Sequence, residues 1–106
     1  MISISKSQEI AKEARKAFDK KFDNTFKTPQ DFLVDVMEET GELARAVSDI
    51  EIRKQPLRAD DVKTELIDVY IDLLWLANYY NIDFEKEFIS TIHKWNKRFG
   101  FDLVVK

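Results

Sequence analysis

The stretch from Val62 to Tyr80 holds neither glycine nor proline and is apolar nearly all round. Val62, Leu66, Ile67, Val69, Tyr70, Ile71, Leu73, Leu74, Trp75 and Leu76 occupy every side of a helical wheel. A helix of this kind is expected to be buried on most of its sides. Yet Glu65, Asp68 and Asp72 follow one another at intervals of three and four and form a single acidic seam along it. An ionised carboxylate held against apolar neighbours is costly unless something neutralises it. Whatever fold the chain adopts has to bring compensation to that seam.

The rest of the chain supplies further helices. Two glycines and two prolines in 106 residues leave little punctuation, which favours long helices over a turn-rich sheet. Ser5 or Ser7 caps a first helix running to about Phe22, with Ile10, Ala14, Ala17, Phe18 and Phe22 at helical spacing. Asp23 to Lys27 reads as a connector. Thr28-Pro29 is a hydroxyl cap followed by proline at the first helical position, and Phe32, Val36, Leu43, Val47 and Ile50 then form one stripe. The pattern breaks between Glu51 and Ala59, where Pro56 forbids a helix interior. Asp60 or Asp61 caps the third helix, which runs to about Tyr80. After the turn Asn81-Ile82-Asp83, Asp83 caps a fourth helix carrying Phe84, Phe88, Ile92, Trp95 and Phe99 and stopping at Gly100. The short apolar tail from Phe101 is left unassigned. The expectation is an all-α, four-helix bundle-type fold, one domain over residues 1–106. The third helix has more apolar surface than three short neighbours cover, so a homodimer or homotetramer is expected.

Composition removes several function classes. A net charge of −3 with no sustained basic run gives no reason to expect nucleic-acid binding. The absence of cysteine excludes disulfides and thiol catalysis and fits a reducing compartment. No signal-peptide core and no membrane-spanning apolar run is visible, so a soluble, cytoplasmic protein with no membrane partner is expected.

The second helix carries its own acids, Glu38-Glu39-Thr40-Gly41-Glu42. Here, as in Glu65-Leu66-Ile67-Asp68, two carboxylates stand at i and i+3 on one helix face, about 5–6 Å apart. Among 20 acidic residues a lone pair of this kind is more often a solvated face than a site. Direction says more than spacing. At ~100° per residue, Glu39 lies on the arc of Phe32, Val36, Leu43 and Ile50. Glu42 borders that arc, and Glu38 points to the opposite side. The nearest bases in sequence are Arg45 and Lys63. Opposing the two acidic faces would make an all-oxygen cage suited to a hard divalent cation, Mg²⁺ or Mn²⁺. Ferritin-like sites need Glu-x-x-His, and the single histidine, His93, has no acid at that spacing. His93 reads as a surface or boundary residue.

Together these residues resemble the MazG-like, all-α nucleotide pyrophosphohydrolases, whose pattern is E-E-x-x-E, a spacer, then E-x-x-D. Glu38-Glu39-Thr40-Gly41-Glu42 and Glu65-Leu66-Ile67-Asp68 match it in order, Gly41-Glu42-Leu43 is typical of the first motif, and Thr28-Pro29 looks like the helix opening of the dCTPase-type branch. A later K-x-x-x-R element is matched by Lys94 and Arg98, so the resemblance covers roughly Thr28 to Phe99. It implies that Glu39, Glu42, Glu65 and Asp68 ligate Mg²⁺, that Lys94 and Arg98 hold the triphosphate, and that Glu38 completes the motif. Asp72 is not part of the signature; its place on the seam makes it, by geometry alone, either a support behind the ligands or a water-mediated ligand. The implied reaction converts a nucleoside triphosphate and water to monophosphate and pyrophosphate, with housecleaning of noncanonical nucleotides as a family-level expectation. A base slot needs aromatic or apolar walls with a few polar groups. Trp75, Trp95 and Asn96 are placed to supply it, although core packing is the better single account of each aromatic. Two rivals stand beside this reading. One is a phosphoribosyl-ATP pyrophosphohydrolase or a dUTPase- or dCTPase-type member of the superfamily, which differs in the base pocket. The other is a non-enzymatic helical interaction module whose acids only solubilise it.

Overall fold

The computed structural model describes residues 1–22, 28–55 and 59–105. The described residues form four helices, α1 (Ile4–Phe22), α2 (Pro29–Glu51), α3 (Ala59–Tyr79) and α4 (Phe84–Phe99), and no strand. The expected connector from Asp23 to Lys27 and the break at Pro56 lie outside the described residues.

The helix ends follow local chemistry, with one exception. Thr28 closes a capping box with Asp31: its side chain accepts from the Asp31 N–H, and the Asp31 carboxylate accepts from the Thr28 N–H at 3.1 Å. Asp83 accepts from the Lys86 N–H at 3.0 Å, and Gly100 closes α4 in the left-handed conformation at φ 71°. The exception is α1. Its cap is Ser3, whose Oγ accepts from the Lys6 N–H at 3.0 Å, and not Ser5 or Ser7. The Ser5 hydroxyl donates instead to Glu85 Oε2 at 3.1 Å, while Glu85 Oε1 accepts from the N–H groups of Ile4 (3.1 Å) and Ser5 (3.4 Å). A carboxylate from α4 thus satisfies free amides at the positive end of α1. No local pattern encodes that contact. In α3, Asp60 and Asp61 sit in the first turn rather than ahead of it.

α2 and α3 form the principal pair, α1 lies against α3, and α4 packs on α1. Phe32 and Ala46 of α2, Leu74 and Ala77 of α3 and Ala11 of α1 are the buried apolar residues. Trp75 fixes the α1–α3 register by donating from Nε1 to the Ala11 carbonyl at 2.7 Å. Gln8 adds a second pin: its Nε2 donates to Asn78 Oδ1 (3.1 Å) and to the Ile82 carbonyl (2.8 Å), and its Oε1 accepts from the Phe84 N–H (2.8 Å). The tail is held by Asn96, whose amide exchanges hydrogen bonds of 2.8 and 3.0 Å with the Leu103 backbone.

α3 is less covered than its sequence requires. Leu66 is 53% and Ile67 56% exposed, so the expected burial on most sides is not reached within this chain. α4 packs on α1 rather than closing over α3, and its Phe88, Trp95 and Phe99 stay 53, 48 and 54% exposed. The radius of gyration, 16.6 Å, exceeds the ~13 Å of a compact domain of ~100 residues.

Candidate functional site

α2 and α3 run antiparallel and place their acids face to face. Along α2 the stripe is Asp35, Glu39, Glu42, spaced four then three; read backwards, α3 carries Asp72, Asp68, Glu65 with the same spacing. The mirrored intervals put Asp35 opposite Asp72 and Glu42 opposite Glu65. Oxygens of Asp35, Glu39 and Asp72 lie within 4.8 Å of one another, and so do oxygens of Glu39, Glu42 and Glu65. Glu39 belongs to both groups.

The described residues do not relieve the electrostatics of this ladder. Glu39 Oε2, Glu65 Oε2 and Asp72 Oδ2 are buried and find no hydrogen-bond donor among the described residues. No ion pair links any of the six acids to a described lysine or arginine. Lys63 pairs with Asp60 at 3.3 Å, and Arg45 lines a different cleft with Ser48, Asp49, Arg53 and Gln55. Burial, then a proton shared with Glu65, then the charges of Glu42, Asp68 and Asp35 push Glu39 up to about 7. Burial and the neighbouring Asp35, with smaller contributions from Glu39 and Asp68, push Asp72 up to about 8. A divalent cation at ~2.0–2.6 Å from each oxygen spans the observed separations and would replace those protons. The residues present fit such an ion.

Beside the ladder opens a cleft of ≈ 280 Å³ lined by Ala14 and Phe18 of α1, Asp35 and Glu39 of α2, and Asp68, Ile71, Asp72 and Trp75 of α3. One wall is carboxylate and the other is aromatic, with Phe18 edge-on to Trp75 at 6.3 Å between centroids. The Arg15 guanidinium lies 4.7 Å from the Trp75 ring centroid and 5.8 Å from that of Phe18.

The model of the MazG nucleotide pyrophosphohydrolase domain matches residues 27–99. The chain belongs to that family. No curated protein and no solved structure matches it significantly. The MazG match takes in α2, α3 and α4 but not α1, so the Ala14 and Phe18 side of the cleft lies outside it.

Within the MazG domain, Glu39, Glu42, Glu65, Asp68 and Asp72 all gather at the α2–α3 interface. Asp72 is 2% exposed, and an oxygen of its carboxylate lies within 4.8 Å of oxygens of Asp35 and Glu39. Glu38 is exposed on the other side of α2, as its helical angle indicates. Trp75 lines the cleft. Trp95 does not; it borders an apolar groove with Ile4, Tyr70, Phe84, Phe88 and Ile92. Asn96 is committed to the tail backbone, and Lys94 and Arg98 stand exposed on α4 without lining the cleft. His93 is exposed. Two site residues escaped the sequence reading. Asp35 lies four residues before Glu39, so extending the stripe by one turn would have found it. Phe18 had no local signal, because its place depends on how α1 docks.

Proposed function

We propose that this protein hydrolyses a nucleoside triphosphate to the monophosphate and pyrophosphate, using Mg²⁺ or Mn²⁺ held by Glu39, Glu42, Glu65 and Asp68. The observation that carries this reading is the ladder itself: facing carboxylates, orphaned buried oxygens, and no ion pair to a base among the described residues. When bound, a divalent cation there neutralises charge on phosphate oxygens and acidifies water. The protein's own contribution is positioning. The ladder fixes the polyphosphate along one wall, and Trp75 and Phe18 present a stacking surface for the base on the other. Water attacking the α-phosphorus gives its proton to an ionised carboxylate of the ladder. Lys94 and Arg98, in the role the K-x-x-x-R resemblance gives them, would neutralise the pyrophosphate. Since they do not line this chain's cleft, a neighbouring copy is the natural source of that pair.

Assembly with a second copy is part of the proposal. Leu33, Val34 and Met37 of α2 are exposed alongside Leu66 and Ile67 of α3, more apolar surface than a lone domain retains. A homodimer or homotetramer would cover it.

The test is pyrophosphate release from a panel of canonical and modified NTPs and dNTPs, with Mg²⁺ and with EDTA. Metal-dependent release of pyrophosphate and monophosphate supports the reading, and the ranking reports the base preference, including any bias toward noncanonical bases. Silence across the panel from folded, metal-supplied protein would favour the non-enzymatic module.

A further inference from the structure

We propose that α4 docks antiparallel on the α4 of a second copy of this chain, through the row Phe84, Phe88, Ile92, Trp95 and Phe99. The inference does not rest on the reaction, and the face it uses is distinct from the exposed Leu33, Met37 and Leu66 of α2 and α3. A 16-residue helix draws most of its stability from packing its apolar side. Yet α4 has no buried residue, and Phe88, Trp95 and Phe99 stay half-exposed. Along it runs an open, mainly apolar groove of ≈ 500 Å³, walled by Phe84, Phe88, Ile92 and Trp95 and by Ile4 and Tyr70 from α1 and α3.

Two properties of α4 say what fills the groove. The first is spacing. The row steps by four, four, three and four residues, nearly the same read from either end. Turned end for end about a point between Thr91 and Ile92, the helix sets Phe84 against the partner's Phe99 and Phe88 against the partner's Trp95. Beyond the helix ends, Ile82 comes opposite the partner's Phe101, and both are exposed in the lone chain. A two-fold contact requires a patch that is complementary to itself, and aromatic side chains are favoured in the cores of such contacts.

The second property is charge. At ~100° per residue, Glu87, Thr91, Lys94 and Arg98 run along one flank of the row, the acid in the N-terminal half and the bases in the C-terminal half. Antiparallel helices bring the same flank of each copy together. Glu87 then falls between the partner's Lys94 and the partner's Arg98, and the two-fold axis repeats the match. A parallel pairing loses it, so charge selects the orientation. None of the three has an ion pair among the described residues of its own chain. Two bases meet one acid on each side, so one positive charge per copy remains for a phosphate.

The experiment uses the absence of cysteine, which lets one introduced thiol report on one position. Thr91→Cys lies beside the two-fold axis, and a short bis-maleimide is expected to link it into covalent dimers. His93→Cys, exposed on the other side of α4, is expected to stay unlinked. Adding Phe88→Glu to Thr91→Cys should abolish the linking; Phe88 is half-exposed in the lone chain, and circular dichroism checks that the helices persist. Adding Glu87→Lys should weaken it at low salt, and Lys94→Glu with Arg98→Glu on top should restore it. Light scattering should find a dimer in Leu66→Glu and a monomer once Phe88→Glu is combined with it. Thr91→Cys that links no better than His93→Cys overturns the proposal, as does linking that Phe88→Glu leaves unchanged. Pyrophosphate release from the unmodified protein separates the two claims. Linking without hydrolysis would refute the reaction and leave this contact standing; hydrolysis without linking would do the reverse.

Discussion

Glu39 is the residue on which the site turns, because it alone belongs to both oxygen groups of the α2–α3 ladder. Replacing it with glutamine, or Asp68 with asparagine, removes a charge while keeping shape. Each variant is expected to lose nucleotide hydrolysis to background while circular dichroism and assembly stay as in the wild type. The raised carboxyls also set a pH dependence. With Glu39 pushed up to about 7 and Asp72 to about 8, the folded cation-free protein binds more protons than the unfolded chain from about pH 4 upward. Stability is therefore greatest at the acidic end of that window and falls as pH rises through 7 to 8. Thermal melts of EDTA-treated protein should show that decline, and Mg²⁺ added at pH 8 should reverse it, since cation binding displaces the same protons.

At the level of the helices, sequence and structure agree where the determinants are local. Thr28-Pro29, Asp83 and Gly100 bound their helices as capping chemistry dictates, and the Glu39 and Glu42 directions follow from helical angle alone. What the sequence could not show is docking. The Glu85 cap on α1, the Gln8–Asn78 pin and the Phe18 wall depend on which surfaces meet, and residues in different helices carry no mutual spacing to read. Nor does any spacing announce that the Asn96 amide bonds to the Leu103 backbone of the tail. Gln8 gives a direct check on the docking. Gln8→Ala leaves the Phe84 N–H and the Ile82 carbonyl without their partner and is expected to cost about 1–3 kcal/mol, read by urea unfolding. A cost near zero would mean that α1 is not held this way.

The whole molecule is more open than its apolar content warrants. The radius of gyration is 16.6 Å, and Leu66 and Ile67 on the most apolar helix are exposed; the proposed second copy would cover them. Light scattering coupled to size exclusion should give a dimer or tetramer, and Leu66→Glu should shift it toward smaller species. A wild-type monomer at micromolar concentration would refute the second-copy interface. Assembly also bears on the site, since Lys94 and Arg98 do not line the cleft of their own chain.

In the proposed reaction the α2–α3 carboxylate ladder directs water to the α-phosphorus of a nucleoside triphosphate. The most direct measurement is to run the reaction in heavy-oxygen water with Mg²⁺ and locate the label in the products. Label in the monophosphate, none in pyrophosphate, and no turnover by Asp68→Asn is the expected result. Label in orthophosphate released from the γ-position, or undiminished turnover by Asp68→Asn, would contradict it.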